Sequence, residues 1–118
     1  MAGQVLAVLL LLIGLAGVAA AAEPTVGVRA GDHRDYGRLV FDFPTVVPYQ
    51  VVRNGAVVLF SFTETAPIGE PARLPSNVVA FAAKPGAAEI TLAPGVETRD
   101  FRVGNRIVLD VLNPGGAT

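Results

Sequence analysis

Residues 49–62 read YQVVRNGAVVLFSF, and this stretch decides the fold. Two runs rich in β-branched and aromatic residues flank Arg53-Asn54-Gly55. Asn-Gly between such runs is the strongest short-range hairpin signal, because both residues tolerate positive φ. On the return run Val58, Phe60 and Phe62 share one face, the two-residue period of a strand that buries one side. Upstream, residues 38–43 (RLVFDF) alternate in the same way, with Leu39, Phe41 and Phe43 on one face and Val40 and Asp42 on the other. Residues 26–30 (VGVRA) form a shorter run of the same kind. No helical period competes with these strands from Val26 onward.

Downstream, residues 63–76 contain Pro67, Pro71 and Pro75 and are excluded from a central strand, so they read as a connection. The pattern then restarts. Residues 77–83 (NVVAFAA) and 88–93 (AEITLA) are strands around a Lys84-Pro85-Gly86 turn. Residues 98–103 (TRDFRV) and 106–112 (RIVLDVL) form a hairpin around Gly104-Asn105. The two halves align at a nearly constant offset: Val28 on Val79, Leu39 on Ile90, Tyr49 on Phe101, Val57 on Ile107. A four-strand unit cannot bury its apolar face alone, whereas two copies packed face to face can. The expected fold is therefore all-β, a small sandwich of about eight short strands in two duplicated four-strand halves. Phe41, Phe60 and Phe101 are its expected core aromatics.

The chain has 118 residues and a formal net charge of -1, with one His, one Lys and no Cys. Nothing charged lies before Glu23. Residues 5–18 (VLAVLLLLIGLAGV) have the length of a signal-peptide apolar region, and Ala20 and Ala22 fit a small-residue cleavage site. The expected organisation is a signal peptide over 1–22, a β domain over 23–113, and a linker or truncated tail over 114–118. The domain is then periplasmic or secreted, and touches a membrane only if the leader stays uncleaved. A near-neutral chain has no basic field for nucleic acid. Without Cys there is no disulfide, thiolate metal site or cysteine nucleophile.

The stretches Arg38-Leu39-Val40-Phe41-Asp42-Phe43, Pro48-Tyr49-Gln50-Val51 and Arg106-Ile107-Val108-Leu109-Asp110-Val111 resemble the AMIN-like domains of bacterial envelope proteins. Those carry an Arg–aliphatic–Val–aromatic–acid–aromatic strand, a Pro-Tyr-x-Val strand, and a closing Arg–aliphatic–Val–aliphatic–Asp strand. The resemblance spans residues 26–113. It implies two symmetric four-stranded sheets and a non-catalytic module that binds peptidoglycan or localises proteins at the division site, with no cofactor.

Eight of the nine basic residues are arginines. The planar guanidinium fork suits carboxylates, which peptidoglycan stem peptides carry. Arg38 and Arg106 open the two related strands, and Arg102 is read as outward-facing. These three are the candidate ligand-binding residues, with cell-wall peptidoglycan or an envelope protein as the partner. A second reading is a protein–protein module that pairs a partner strand to a sheet edge. A third, a small hydrolase, would need a polar cleft joining His33 to an acid. The Gly31–Gly37 loop, with Asp32, His33 and Asp35, offers too few ligands for a metal and reads as structural. Asp42 and Asp110 are expected either to face each other across the pseudo-two-fold or to pair with arginines on neighbouring strands.

Overall fold

A computed structural model describes residues 25–115. The leader expected over 1–22 and the last residues of the tail, 116–118, lie outside the described residues. Eight strands follow in chain order: β1 (Gly27–Asp32), β2 (Tyr36–Asp42), β3 (Tyr49–Asn54), β4 (Val57–Phe62), β5 (Val78–Lys84), β6 (Ala87–Leu92), β7 (Glu97–Val103) and β8 (Arg106–Leu112). They form two antiparallel four-stranded sheets, ordered β1-β2-β8-β7 and β3-β4-β6-β5. No helix occurs among the described residues. The fold is the all-β sandwich that the alternation requires.

The halves do not stack one upon the other. They interlock. Each sheet takes one hairpin from the first half and one from the second, and exchanging β1–β4 for β5–β8 carries the first sheet's order onto the second's. The chain crosses between sheets after Phe43, where Pro44 and Pro48 cannot continue a ladder. A two-residue period specifies which face a strand buries, not which strand it neighbours, so the exchange was not readable from the pattern.

The core lies on the four central strands. Leu39 and Phe41 from β2, Val58 and Phe60 from β4, Ile90 from β6, and Ile107, Leu109 and Val111 from β8 have no exposed surface. Phe41 sits 5.2 Å from both Phe60 and Phe62, ring centre to ring centre, within the range of favourable tilted aromatic contacts. Gly37 is buried beneath the β4–β5 connection: a Cβ there would lie 2.5 Å from Pro75 Cβ and 2.6 Å from Asn77 Oδ1. Asn77 is itself buried and donates from Nδ2 to Val111 O and Asn113 Oδ1, both at 2.8 Å.

Four expectations are corrected. In the β3–β4 hairpin Asn54 stays in the strand opposite Val57, and Gly55, with φ of 63°, takes the first turn position. Gly104, with φ of 59°, occupies the same position between β7 and β8. Aligning these turns puts Val58, Phe60 and Phe62 on Ile107, Leu109 and Val111. Val57, which faces outward, does not match buried Ile107. Phe101 is not core. It pairs with Val108 on the outer face of its sheet and is only half-buried. Consequently Arg102, opposite buried Ile107, turns toward the space between the sheets rather than outward. The edge strand β7 thus presents Thr98, Asp100 and Arg102 on its inner side, the reverse of what its apolar residues suggest.

Candidate functional site: the charged face of the first sheet

The two R-h-V-h-D strands identified in the sequence lie side by side. β2 and β8 pair antiparallel with Arg38 opposite Asp110, Leu39 opposite Leu109, Val40 opposite Val108, Phe41 opposite Ile107 and Asp42 opposite Arg106. Each arginine therefore meets the other strand's aspartate, with a local dyad between Val40 and Val108. The alternation that sends Leu39, Phe41, Ile107 and Leu109 inward sends both Arg–Asp pairs onto the outer face.

Each carboxylate is gripped by two guanidinium groups. Arg38 forks onto Asp110, Nε to Oδ1 at 2.7 Å and Nη2 to Oδ2 at 2.9 Å. Arg99 from β7 adds Nε to Oδ2 at 3.0 Å. Arg29 from β1 forks onto Asp42 at 2.6 and 3.1 Å, and Arg106 donates Nε to Asp42 Oδ1 at 3.1 Å. Asp110 is wholly buried beneath its partners, whereas the Arg29 and Arg106 side chains are each 59% exposed. Aromatic rings complete the face. The guanidinium carbons of Arg38 and Arg99 lie 5.1 and 5.5 Å from the Tyr36 ring centre, and Arg38 is also 5.5 Å from Phe101. His33 stacks on Tyr36 at 4.5 Å. Such cation–ring contacts hold a guanidinium in place as well as attract it.

The electrostatics follow from this packing. Burial pushes the Asp110 carboxyl up, but hydrogen bonds from Arg38 and Arg99 and their charges more than reverse that, holding it below the usual carboxylate range. The Asp42 carboxyl is lowered first by its hydrogen bonds from Arg29, against a smaller opposing effect of burial. Neither is a raised, protonated acid of the kind proton transfer from a carboxyl needs at neutral pH. Two aspartates hold four arginines, and with Glu97 on the same face of β7 the surplus is one positive charge, in a chain whose net charge is -1.

Of the three sequence-predicted arginines, Arg38 and Arg106 share this face. Arg102 does not. Its Nη2 donates to Val47 O at 2.6 Å, its guanidinium lies 5.5 Å from the Tyr49 ring, and its Nη1 is buried without a partner among the described residues. Beside it the Tyr49 hydroxyl donates to Asp100 Oδ2 at 2.8 Å. Burial, then that hydrogen bond, pushes the Tyr49 phenol up to about 12. Arg102 thus ties β7 to the segment before β3 across one side of the sandwich. Arg29, Arg99 and Tyr36 were missed by sequence reasoning. The alternation of residues 26–30 puts Arg29 opposite Val28's face, but only the β1–β2 and β7–β8 registers bring Arg29 and Arg99 to the aspartates. Asp42 and Asp110 do not face each other across the pseudo-two-fold; they pair with arginines, the plainer of the two expectations. Of the loop expected over Gly31–Gly37 only residues 33–35 lie between strands, and Asp32, at the end of β1, accepts from Ser76 N and Oγ at 3.0 and 3.2 Å. No group of three or more metal-ligating side chains forms among the described residues.

Compared with protein-family models, curated proteins and solved structures, the chain matches none. The resemblance to AMIN-like domains rests on the strand motifs alone.

Proposed function

We propose that this domain is a non-enzymatic binding module of the bacterial cell envelope, exported to the periplasm or secreted, that holds carboxylates of peptidoglycan on the outer face of the β1-β2-β8-β7 sheet. One observation carries the reading: four guanidinium groups fixed by two carboxylates on a face that stays positive in balance. Among the described residues Arg106 spends only Nε, leaving its terminal nitrogens for a ligand. Guanidinium groups already oriented by Asp42 lose less rotamer freedom on binding than free arginines would. The apolar leader read from the sequence supports export.

The test is a pull-down on purified sacculi. Replacing Arg29 and Arg106 together with Gln spares the buried Asp110 cluster, and should weaken binding about tenfold. Arg106→Lys keeps the charge but loses the fork, and should weaken binding to a similar extent. Added salt should weaken wild-type binding, since exposed charges are screened beyond about 8–10 Å near physiological strength. Wild-type protein that stays in the supernatant, or a double variant that binds sacculi as well as wild type, overturns the reading.

A further inference from the structure

A second surface lies on the open edge of β1. The sandwich has four edge strands. β5 carries a bulge at Val78–Ala80, β7 is lined with Glu97, Arg99, Asp100 and Arg102, and the β3 side is tied across to β7 by Tyr49 and Arg102. Bulges and charges are the common ways of blunting an edge. β1 reads GVRAGD and has neither a bulge nor a run of charge.

The backbone of β1 shows which groups face that edge. His33 N donates to Tyr36 O at 2.8 Å, which fixes the alternation of the β1–β2 ladder. On that alternation Gly27, Arg29 and Gly31 point their N–H and C=O groups at β2, while Val28 and Ala30 point theirs away. Val26, on the same phase as Val28, confirms this: its N–H donates to Pro67 O and its C=O accepts from Gly69 N, both at 2.8 Å. The β4–β5 connection therefore pairs with the chain just before β1. It touches down again at the other end, where Ser76 bonds Asp32. Between these two points it arches away and leaves a groove of about 530 Å³, lined by Val28, Ala30, Gly31, Arg73 and Leu74 among others. The arch spans about five strand residues, roughly 16 Å. Arg29 and Arg73 stand on the two sides of this groove, and Arg73 makes no ion pair among the described residues. On its rim Asp32 Oδ1 accepts from Ser76 N and Oγ.

We propose that this groove takes the extended C-terminal end of a partner protein, which adds a short strand to β1 through the backbone of Val28 and Ala30 and places its terminal carboxylate against Arg73. The pinning at both ends favours a chain end over an internal segment, which would have to pass both touch-down points. Arg29 is already bound to Asp42, so Arg73 is the arginine of this groove that favours a carboxylate. It also disfavours a second copy of this chain, because β1 against β1 would bring Arg73 toward its own counterpart. Main-chain pairing supplies attraction and the arginine supplies direction. Arg29 borders both this groove and the face read above as wall-binding, but the tail's carboxylate is placed on Arg73, so either reading can fail alone.

The experiment uses the peptide acetyl-Thr-Val-Thr-Val-Glu with a free C-terminus, titrated into the isotope-labelled protein and followed by amide spectra. The Val28, Ala30 and Arg73 amides should shift, and those of Val28 and Ala30 should exchange with solvent more slowly. The C-terminal amide of the peptide should bind about tenfold more weakly, and so should the acid peptide on Arg73→Ala. Ala30→Pro removes an N–H that no β1–β2 bond uses, so the fold should persist while binding is lost. Sacculus binding by Arg73→Ala and Ala30→Pro should equal that of wild type. Four outcomes overturn the proposal: no shift at Val28 and Ala30 with millimolar peptide, shifts confined to another surface, equal affinity for acid and amide, or concentration-dependent self-association that Ala30→Pro abolishes, which assigns the edge to a second copy.

Discussion

The outer faces of the two sheets differ sharply although the sheets share one core and one topology. On the first, Arg29, Arg38, Asp42, Arg99, Arg106 and Asp110 interlock beneath and beside Tyr36 and Phe101, and they bury Asp110 fully and Val108 to 4% exposure. On the second, cross-strand rows run Val52–Leu59–Glu89–Ala82 and Gln50–Ser61–Ala87–Lys84. Its side chains are short and mostly uncharged, and Val52 is 59% exposed. The first sheet therefore has a second, polar packing layer where the second sheet has solvent. The charged layer does what a core does: it excludes water, fixes rotamers and penalises a slip of register, because a one-residue shift of β2 on β8 would turn Arg38 and Asp42 inward and break both Arg–Asp pairs. The plain face leaves its register to the core and the turns.

The largest expected effect sets the scale for both faces. Phe41→Ala opens the shared core and should cost about 3–5 kcal/mol in urea unfolding. Phe101→Ala removes a ring from the polar layer and should cost about 1 kcal/mol, mostly through lost contact with Arg38. Equal losses at the two positions would put β7 in the opposite register. Next comes the buried charge. Asp110→Asn leaves Arg38 and Arg99 without their anion and should cost about 2–3 kcal/mol, less than a fully buried pair because both arginines reach solvent. Glu89→Gln on the plain face should stay within about 0.5 kcal/mol. A costly Glu89→Gln would erase the contrast.

Acid should separate the faces further. The Asp110 and Asp42 carboxyls titrate lower folded than unfolded. Their contribution is present above the unfolded value of about 4 and disappears as pH falls through the lower folded value. Melting temperature should therefore drop below about pH 4, with a shallower drop in Asp110→Asn. The opposite sign applies to Tyr49, raised to about 12. Its contribution is intact below the unfolded value of about 10 and is lost as pH climbs toward 12, a component that Tyr49→Phe should remove from alkaline melting curves. The smallest effect belongs to the plain face: Val52→Lys should change stability by less than about 0.5 kcal/mol and leave sacculus binding undiminished.

Much of this contrast was legible before any coordinates. The strands, the inward stripes of β2, β4 and β8, and the Arg–Asp pairing of neighbouring strands follow from alternation and from the repeated R-h-V-h-D word. The inversion of β7 was not legible. Residues 98–103 place Phe101 and Val103 on one parity and Thr98, Asp100 and Arg102 on the other, which ordinarily sends the aromatic inward. At an edge the rule weakens, because Arg102 can set its guanidinium over the Tyr49 ring and donate to Val47 O. The membership of Arg29 and Arg99 in the charged layer depends on cross-strand register, which no single strand's sequence encodes. The unspent edge of β1 depends in turn on where a proline-rich connection touches down.

The exchange of hairpins between the sheets bears on how such a molecule comes into being. Arg38 and Asp110 are 72 positions apart in the chain, yet their strands are immediate neighbours. No ribosome-bound fragment ending before β8 contains a finished first sheet, so its loop-closure cost falls late and folding should be a single slow event. A peptide ending after β4 would expose one naked ladder on β2 and another on β4. Its simplest remedy is to meet a sibling, each chain lending a hairpin to the other's sheet. The present chain covalently joins what such a pair would otherwise have to find by diffusion, and so its assembly does not depend on how many copies the cell makes.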